Sequence, residues 1–231
     1  MIVVLNNKCN LNKEEFKYYI NNINKIDTNH TLILCPSFPN ISLFSSNFIK
    51  LGSQNVSSEN NGAYTGEVSA EQLKSFDVNY CIVGHSERRI NQKEKNEEIH
   101  KKINKLLEQD ICPILCIGET EEERMDGLEE KIVLEELDFA LQGLKTEEIE
   151  KIIVAYEPIW SIGTGLTPTN YQIDTIINFI KDKYPQNKVL YGGSVNEVNL
   201  DELKKCTTID GYLIGSLSLN PSQLNTFVKK L

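Results

Sequence analysis

The sequence predicts a closed (β/α)₈ barrel that occupies residues 1–231 as a single domain. Three observations carry this reading. Short apolar runs alternate with amphipathic segments about eight times along the chain, the pattern of a parallel sheet with helical crossovers. The runs show little apolar–polar alternation, as expected of strands buried on both faces. The chain has 231 residues, an ordinary length for one such barrel. A doubly wound open sheet is the rival arrangement.

The apolar runs, in order, are "IVVL" (2–5), "LILC" (32–35), "LGSQNV" (51–56), "YCIV" (80–83), "CPILC" (112–116), "KIIVAY" (151–156), "KVLYG" (188–192) and "GYLIG" (211–215). Helical spacing fills the gaps between them. "NKEEFKYYINNINKI" sets Phe16, Ile20 and Ile23 on one face, and "NEEIHKKINKLLEQ" does the same with Ile99, Ile103 and Leu107. "EEKIVLEELDFALQGL" carries a broader face of Ile132, Leu134, Leu137, Leu141 and Leu144. "NYQIDTIINFIKDKY" and "PSQLNTFVKKL" complete the series, and the charge-rich "GETEEERMDGLEEK" reads as a solvated loop leading into a helix.

Composition narrows the function. Apolar residues make up 40% of the chain, enough for a sizeable core, and no apolar run approaches the roughly 20 residues of a membrane span. The net charge of −9 argues against nucleic acid as the main partner. The opening "MIVVLNNKCNLN" lacks the basic flank and long apolar region of a secretory signal. The cysteines are Cys9, Cys35, Cys81, Cys112, Cys116 and Cys206, and four of them lie in or at the end of strand-like runs. They read as reduced core thiols, with a reducing cytoplasm the simplest compartment. Cys112 and Cys116 have no accompanying His or Cys cluster at zinc spacing, so no metal is expected.

In such a barrel, chemistry sits at the carboxyl ends of the strands. Asn6, Asn7 and Lys8 follow the first run, and "GHSERR" with His85 follows the fourth. Glu157 closes the sixth, "GGSVN" follows the seventh and "GSLSL" extends the eighth. A lone lysine after a strand is most often solvated, and a lone loop histidine is most often structural. Five such features on one end of one barrel carry more weight than each alone. Loops after the last two strands of a (β/α)₈ barrel often bind phosphate through backbone N–H groups. Gly192, Gly193 and Gly215 let the backbone approach an anion closely. A small phosphate ester is the expected substrate. Glu157 suits removal of a carbon-bound proton, His85 suits donation to a substrate oxygen, and Lys8 suits holding negative charge. That set fits proton abstraction beside a carbonyl through an enediolate.

Taken in chain order, these residues resemble the triosephosphate isomerase family over essentially the whole chain. The motifs are "NNK", "GAYTGEVS", "CIVGHSERR", "CIGET", "AYEPIWSIGTG", "YGGSV" and "DGYLIGS". The resemblance implies the TIM-barrel fold and interconversion of dihydroxyacetone phosphate and D-glyceraldehyde 3-phosphate, a step of glycolysis and gluconeogenesis, with no cofactor and no metal. It implies that Glu157 is the base, that His85 polarises the carbonyl, and that Lys8, with Asn6 beside it, faces the developing oxyanion. This family is itself the standard case of a neutral histidine at a helix start and of a lid that closes over substrate. "HSERR" sets His85 at such a start. By the same resemblance Glu87 pairs with Lys8 or takes part in proton handling. Gly163, Ser194, Gly215 and Ser216 match phosphate-binding backbone positions, and Arg88 is a structural or interface residue. Thr65 lies in the loop that reaches the partner subunit's site in a homodimer, with bulky Tyr64 beside it as the inserting residue.

The sequence also departs from the family. Asn7 stands where an aromatic residue is usual, Ser216 replaces the second glycine of the last phosphate loop, and Ser161 replaces an alanine at the lid tip. Leu166 and Pro168 replace the usual residues of the lid's trailing hinge, so opening kinetics are expected to differ. Those departures leave one alternative: a catalytically weak relative that binds phosphate esters. A different phosphate-binding barrel enzyme is a third reading, disfavoured by the ordered set.

Overall fold

A computed structural model describes residues 1–164 and 166–231. Its eight strands are β1 (Ile2–Asn6), β2 (Thr31–Cys35), β3 (Lys50–Ser53), β4 (Tyr80–Val83), β5 (Cys112–Ile117), β6 (Ile153–Tyr156), β7 (Val189–Tyr191) and β8 (Gly211–Ile214). Each pairs in parallel with its sequence neighbours, and β1 pairs with β8, which closes the barrel. The open-sheet alternative is thereby overturned, and every one of the eight expected strands is present. The third is shorter than its apolar run, because Gln54–Val56 leave the ladder to begin a long loop.

The helices are α1 (Lys13–Ile23), α2 (Phe38–Ile41), α3 (Ala70–Ser75), α4 (Ser86–Asn91), α5 (Asn96–Glu108), α6 (Glu121–Met125), α7 (Glu129–Leu141), α8 (Thr146–Ile149), α9 (Asn170–Lys183), α10 (Leu200–Leu203) and α11 (Pro221–Lys230). Capping explains several starts. The Asn12 side chain accepts from the amides of Glu14 and Glu15 while Glu15 returns a bond to the Asn12 amide, and Thr169 does the same with Gln172. The same device at Thr120 makes helix α6 out of the charged stretch expected to be loop.

Two apolar layers result. Val4, Ile33, Ile82, Ile114, Ala155, Leu190 and Leu213 fill the barrel interior. Alternate residues such as Val3, Leu5, Val83, Leu115 and Val154 point outward, under the helices. Each such side chain contributes about 1.5–3 kcal/mol on burial. In α7, Leu137 and Leu141 are buried as expected and Leu144 packs against the core beyond it, but Val133 and Ala140 take the places expected of Ile132 and Leu134. In α5, Lys102 and Leu106 join Ile99 and Ile103, and Leu107 is left on the flank. All six cysteines are free thiols, and Cys35, Cys81, Cys116 and Cys206 are buried. Among the described residues, no helix is long and apolar enough to cross a membrane.

Candidate active site

The carboxyl ends of the strands surround a cavity of about 240 Å³. Asn6 and Lys8 reach it from β1, His85 from β4 and Glu157 from β6. Gly163, Ser194, Gly215 and Ser216 line the same space. Glu87 does not: it stands behind Lys8, with its Oε1 2.6 Å from the ammonium and a side chain 47% exposed.

The local geometry of each group has a traceable cause. Lys8 adopts φ 52°, a conformation costly for a side-chain-bearing residue. Its amide donates to Asn6 Oδ1 at 3.0 Å, and its carbonyl accepts from Gln54 Nε2 at 2.9 Å. Those bonds hold the turn that directs the ammonium inward. His85 is the N-cap of α4, where its Nδ1 accepts the Glu87 amide at 3.2 Å. An accepting Nδ1 carries no proton, so the neutral ring presents Nε2–H to the cavity.

Glu157 is buried, and its Oε2 accepts the Ser86 amide at 3.2 Å. Oε1 lies 3.5 Å from His85 Nε2 and has no hydrogen-bond partner among the described residues. Two glycines make room for it. A Cβ on Gly192 would stand 2.8 Å from Glu157 Cγ, and one on Gly118 would overlap the Glu157 carbonyl. The glycine after β7 thus makes room for the Glu157 side chain. Ser216 opens a 3₁₀ turn and is not among the described non-glycine residues with positive φ, so its substitution for glycine brings no backbone strain.

The lid segment begins with a 3₁₀ turn, Ile159–Ser161. Trp160 Nε1 donates to Oε1 of the fully buried Glu119 at 3.0 Å. Tyr156 and Arg124 converge on the same carboxylate. Ser161 is buried and donates to the Pro158 carbonyl at 2.9 Å, so it belongs to the hinge and not to the tip. Gly163 is exposed with φ 70°. Gly165, of the "GTG" motif, lies outside the described residues. At the trailing end, Thr167 Oγ1 accepts from Asn199 Nδ2 at 3.2 Å, and Asn199 also donates to the Ser194 carbonyl at 2.9 Å.

With this geometry in view, comparison with known proteins is decisive. The sequence profile described as triosephosphate isomerase matches residues 1–231. The chain belongs to the triosephosphate isomerase family. Its fold is the family's TIM barrel, and it is an isomerase with triosephosphate isomerase function. It is 41% identical to the triosephosphate isomerase of Dictyoglomus turgidum, over 86% of this chain and 85% of that one. It is 39% identical to that of Aquifex aeolicus, over 98% of both. It is also 39% identical to that of Mesomycoplasma hyopneumoniae, over 89% of this chain and 86% of that one.

One member of the site is not marked by the sequence. Glu119 stands in the quoted "CIGET", but nothing local marks it as the acceptor for the lone tryptophan. Asn7 is buried, donating to Ser218 Oγ at 3.2 Å and to Tyr19 at 3.4 Å. A small polar cluster thus fills the space where the family usually has an aromatic ring. Arg88 pairs with buried Glu94 at 3.2 Å, which favours the structural half of its expected role.

Proposed function

We propose that this cavity interconverts dihydroxyacetone phosphate and D-glyceraldehyde 3-phosphate, with Glu157, His85 and Lys8 as the reacting and charge-stabilising groups. The observation that carries the assignment of roles is the convergence of all three on one cavity that Gly163, Ser194, Gly215 and Ser216 also line. The phosphate takes the amides of Gly163, Ser194, Gly215 and Ser216. Glu157 Oε1 removes a proton from the carbon beside the carbonyl, while His85 Nε2–H donates to the carbonyl oxygen and exchanges protons between the two substrate oxygens, so that the hydroxyl proton moves from one to the other. Lys8, with Asn6 beside it, holds the negative charge of the enediolate, and Glu87 orients the ammonium. Glu157 then returns the proton to the neighbouring carbon, so the step is redox-neutral and consumes no water. Closure of the lid over Gly163 excludes solvent from the intermediate.

The working unit we propose is a homodimer, with the loop around Thr65 reaching the partner's site beside Lys8. Tyr64 supports this, being a large side chain left 47% exposed between small residues. Free thiols throughout suit a reducing cytoplasm. A coupled assay with glyceraldehyde 3-phosphate tests the chemistry. Absence of turnover in the folded wild-type chain overturns it and leaves phosphate-ester binding as the reading. Sedimentation tests the assembly, since a monomer with full activity contradicts it.

A further inference from the structure

Behind the strand ends that carry His85 and Glu157 lies a largely buried ion pair with no assigned part in the reaction. Arg89 on α4 and Glu136 on α7 meet at 2.9 Å between Nη1 and Oε1, with side chains only 14% and 12% exposed. The remaining donors of the guanidinium go mainly to backbone. Nε donates at 2.8 Å to the carbonyl of Gly84, the residue before His85. Nη2 donates at 3.3 Å to the carbonyl of Cys116 in β5, and Nη1 also reaches Asn96 Oδ1 at 2.7 Å. On the other side, Glu136 Oε2 accepts the Gly118 amide at 2.9 Å. Gly118 lies directly against the Glu157 backbone, and the Glu157 amide donates to the Ile117 carbonyl at 2.7 Å. Direct contacts thus run from the residue before His85, through one ion pair, to the backbone of Glu157.

We propose that Arg89 and Glu136 are positioning residues for the isomerisation, fixing the ends of β4 and β5 so that the His85 ring and the Glu157 carboxylate keep their working separation. This rests on the reading of His85 and Glu157 as reacting groups. A buried ion pair is a poor way to gain stability, because desolvating two charges offsets their attraction. A guanidinium fork is, however, a good way to fix geometry, because its donors point in set directions. Here those directions end on two strand termini and a carboxylate that holds a third backbone site.

The pair also makes the geometry sensitive to pH. Burial pushes the Glu136 carboxyl up to about 7; the Arg89 charge and the Gly118 amide oppose the rise, and the negative charges of Glu123 on α6 and of Glu157 add to it. Above that pH the pair is ionic. As pH falls through about 7, Glu136 takes a proton and the guanidinium loses its counterion.

The test is kcat, KM and inhibition by inorganic phosphate, each against pH, for wild type, Glu136→Gln, Arg89→Met and Arg89→Lys. Glu136→Gln keeps the shape and an acceptor for Gly118 but loses the charge. The expected result is a fall in kcat of about 10–100-fold, the scale of a small misplacement of reacting groups. KM and phosphate inhibition should stay within about twofold by the same argument, and the fall in kcat near pH 7 should flatten. Arg89→Lys should recover part of what Arg89→Met loses, and it carries the test should Glu136→Gln fail to fold. Wild-type kcat with an unchanged pH profile in these variants overturns the proposal. So does a loss shared equally by kcat and phosphate affinity. Adding Glu136→Gln to Glu157→Asp, whose carboxylate is already displaced, should cost less than in wild type; strict additivity also overturns it. Glu157→Gln alone separates the two readings. If it retains turnover, the assignment of reacting groups fails; if it loses turnover while Glu136→Gln does not, only the positioning proposal fails.

Discussion

Oε1 of Glu157 and Nε2 of His85 stand 3.5 Å apart, too far for a good hydrogen bond, and Oε1 is buried without a partner among the described residues. An orphaned buried acceptor costs about 1–3 kcal/mol. The sister oxygen, bonded to the Ser86 amide, keeps the carboxylate from turning away to find a partner. The arrangement leaves one basic oxygen and one ring N–H side by side on the wall of the cavity, where a reacting carbon and its oxygen can lie against both. Glu157→Gln therefore removes the base while preserving the shape. Turnover should fall by about 10²–10⁴-fold, the usual worth of a positioned general base. Binding of a phosphate analogue should survive, and calorimetry on the same sample checks it.

Gly192 offers a steric version of the same test. A Cβ there would sit 2.8 Å from Glu157 Cγ, so Gly192→Ala pushes the base off its position without touching its chemistry. We expect kcat to fall about 10–100-fold, with a stability loss of about 1–3 kcal/mol from overpacking. Unchanged kcat in a folded variant would show that the carboxylate has slack.

Glu119 anchors the start of the lid through Trp160, the only tryptophan in the chain. Glu119→Gln turns an amide toward the three donors, Trp160, Tyr156 and Arg124, that now share one carboxylate. All three reach Oε1, and the neutral amide oxygen is a weaker acceptor than the carboxylate, at a cost of about 1 kcal/mol. Trp160 fluorescence reports the change directly, and its emission should shift as the indole loses its charged acceptor. Unaltered emission together with an unaltered melting temperature would remove Glu119 from the hinge.

Asp210 belongs to the opposite, amino-terminal end of the barrel and should affect stability but not rate. Burial alone would raise its pKa, but Lys181 at 2.8 Å, the Val189 amide at 2.9 Å and Lys188 at 3.5 Å outweigh burial and lower it. A lowered folded pKa means stability that is present above the unfolded value, about 4, and is lost as pH falls through the folded one. Asp210→Asn should cost about 1 kcal/mol at pH 7, allowing for partial exposure. The deficit should shrink below about pH 4, while kcat at neutral pH stays at the wild-type value. Thermal melts at the two pH values decide this, and a deficit independent of pH would contradict the charge argument.

The principal site residues were legible because each stands at the end of a short apolar run, and a barrel brings all such ends together. Their places at strand ends single out Lys8, His85 and Glu157 as a set, whereas the part proposed for Asn6 comes from the family resemblance. Arg89, Glu119 and Glu136 were not legible in the same way. Each is one charge among many in helical or loop sequence, and its burial depends on which helix packs over which strand. The face of α7 is legible only in part: Leu137 and Leu141 pack inward as their spacing suggests, but Val133 and Ala140 are buried where Ile132 and Leu134 are expected. Ser161 was placed at the lid tip because spacing cannot show that its hydroxyl turns back to the Pro158 carbonyl.

The trailing hinge is where this chain leaves its family most clearly, and Pro168 is the residue to change. It is buried, fixes its own φ and restricts Thr167, whose hydroxyl is held by Asn199. Asn199 also holds the Ser194 carbonyl, so the stiffened hinge is tied to the phosphate loop. Thr169 then caps α9, which leaves Thr167 and Pro168 as the link between that helix and the lid proposed above. Pro168→Ala releases φ at one end of that link. The folded state should lose about 0.4–1 kcal/mol through greater freedom of the unfolded chain. Lid exchange, followed by Trp160 fluorescence after a temperature jump, should become faster, because closure and opening no longer turn about a locked residue. KM should rise with it, since more freedom is lost on closing over substrate. Unchanged turnover together with unchanged lid exchange would show that the proline is only a filler at the start of α9.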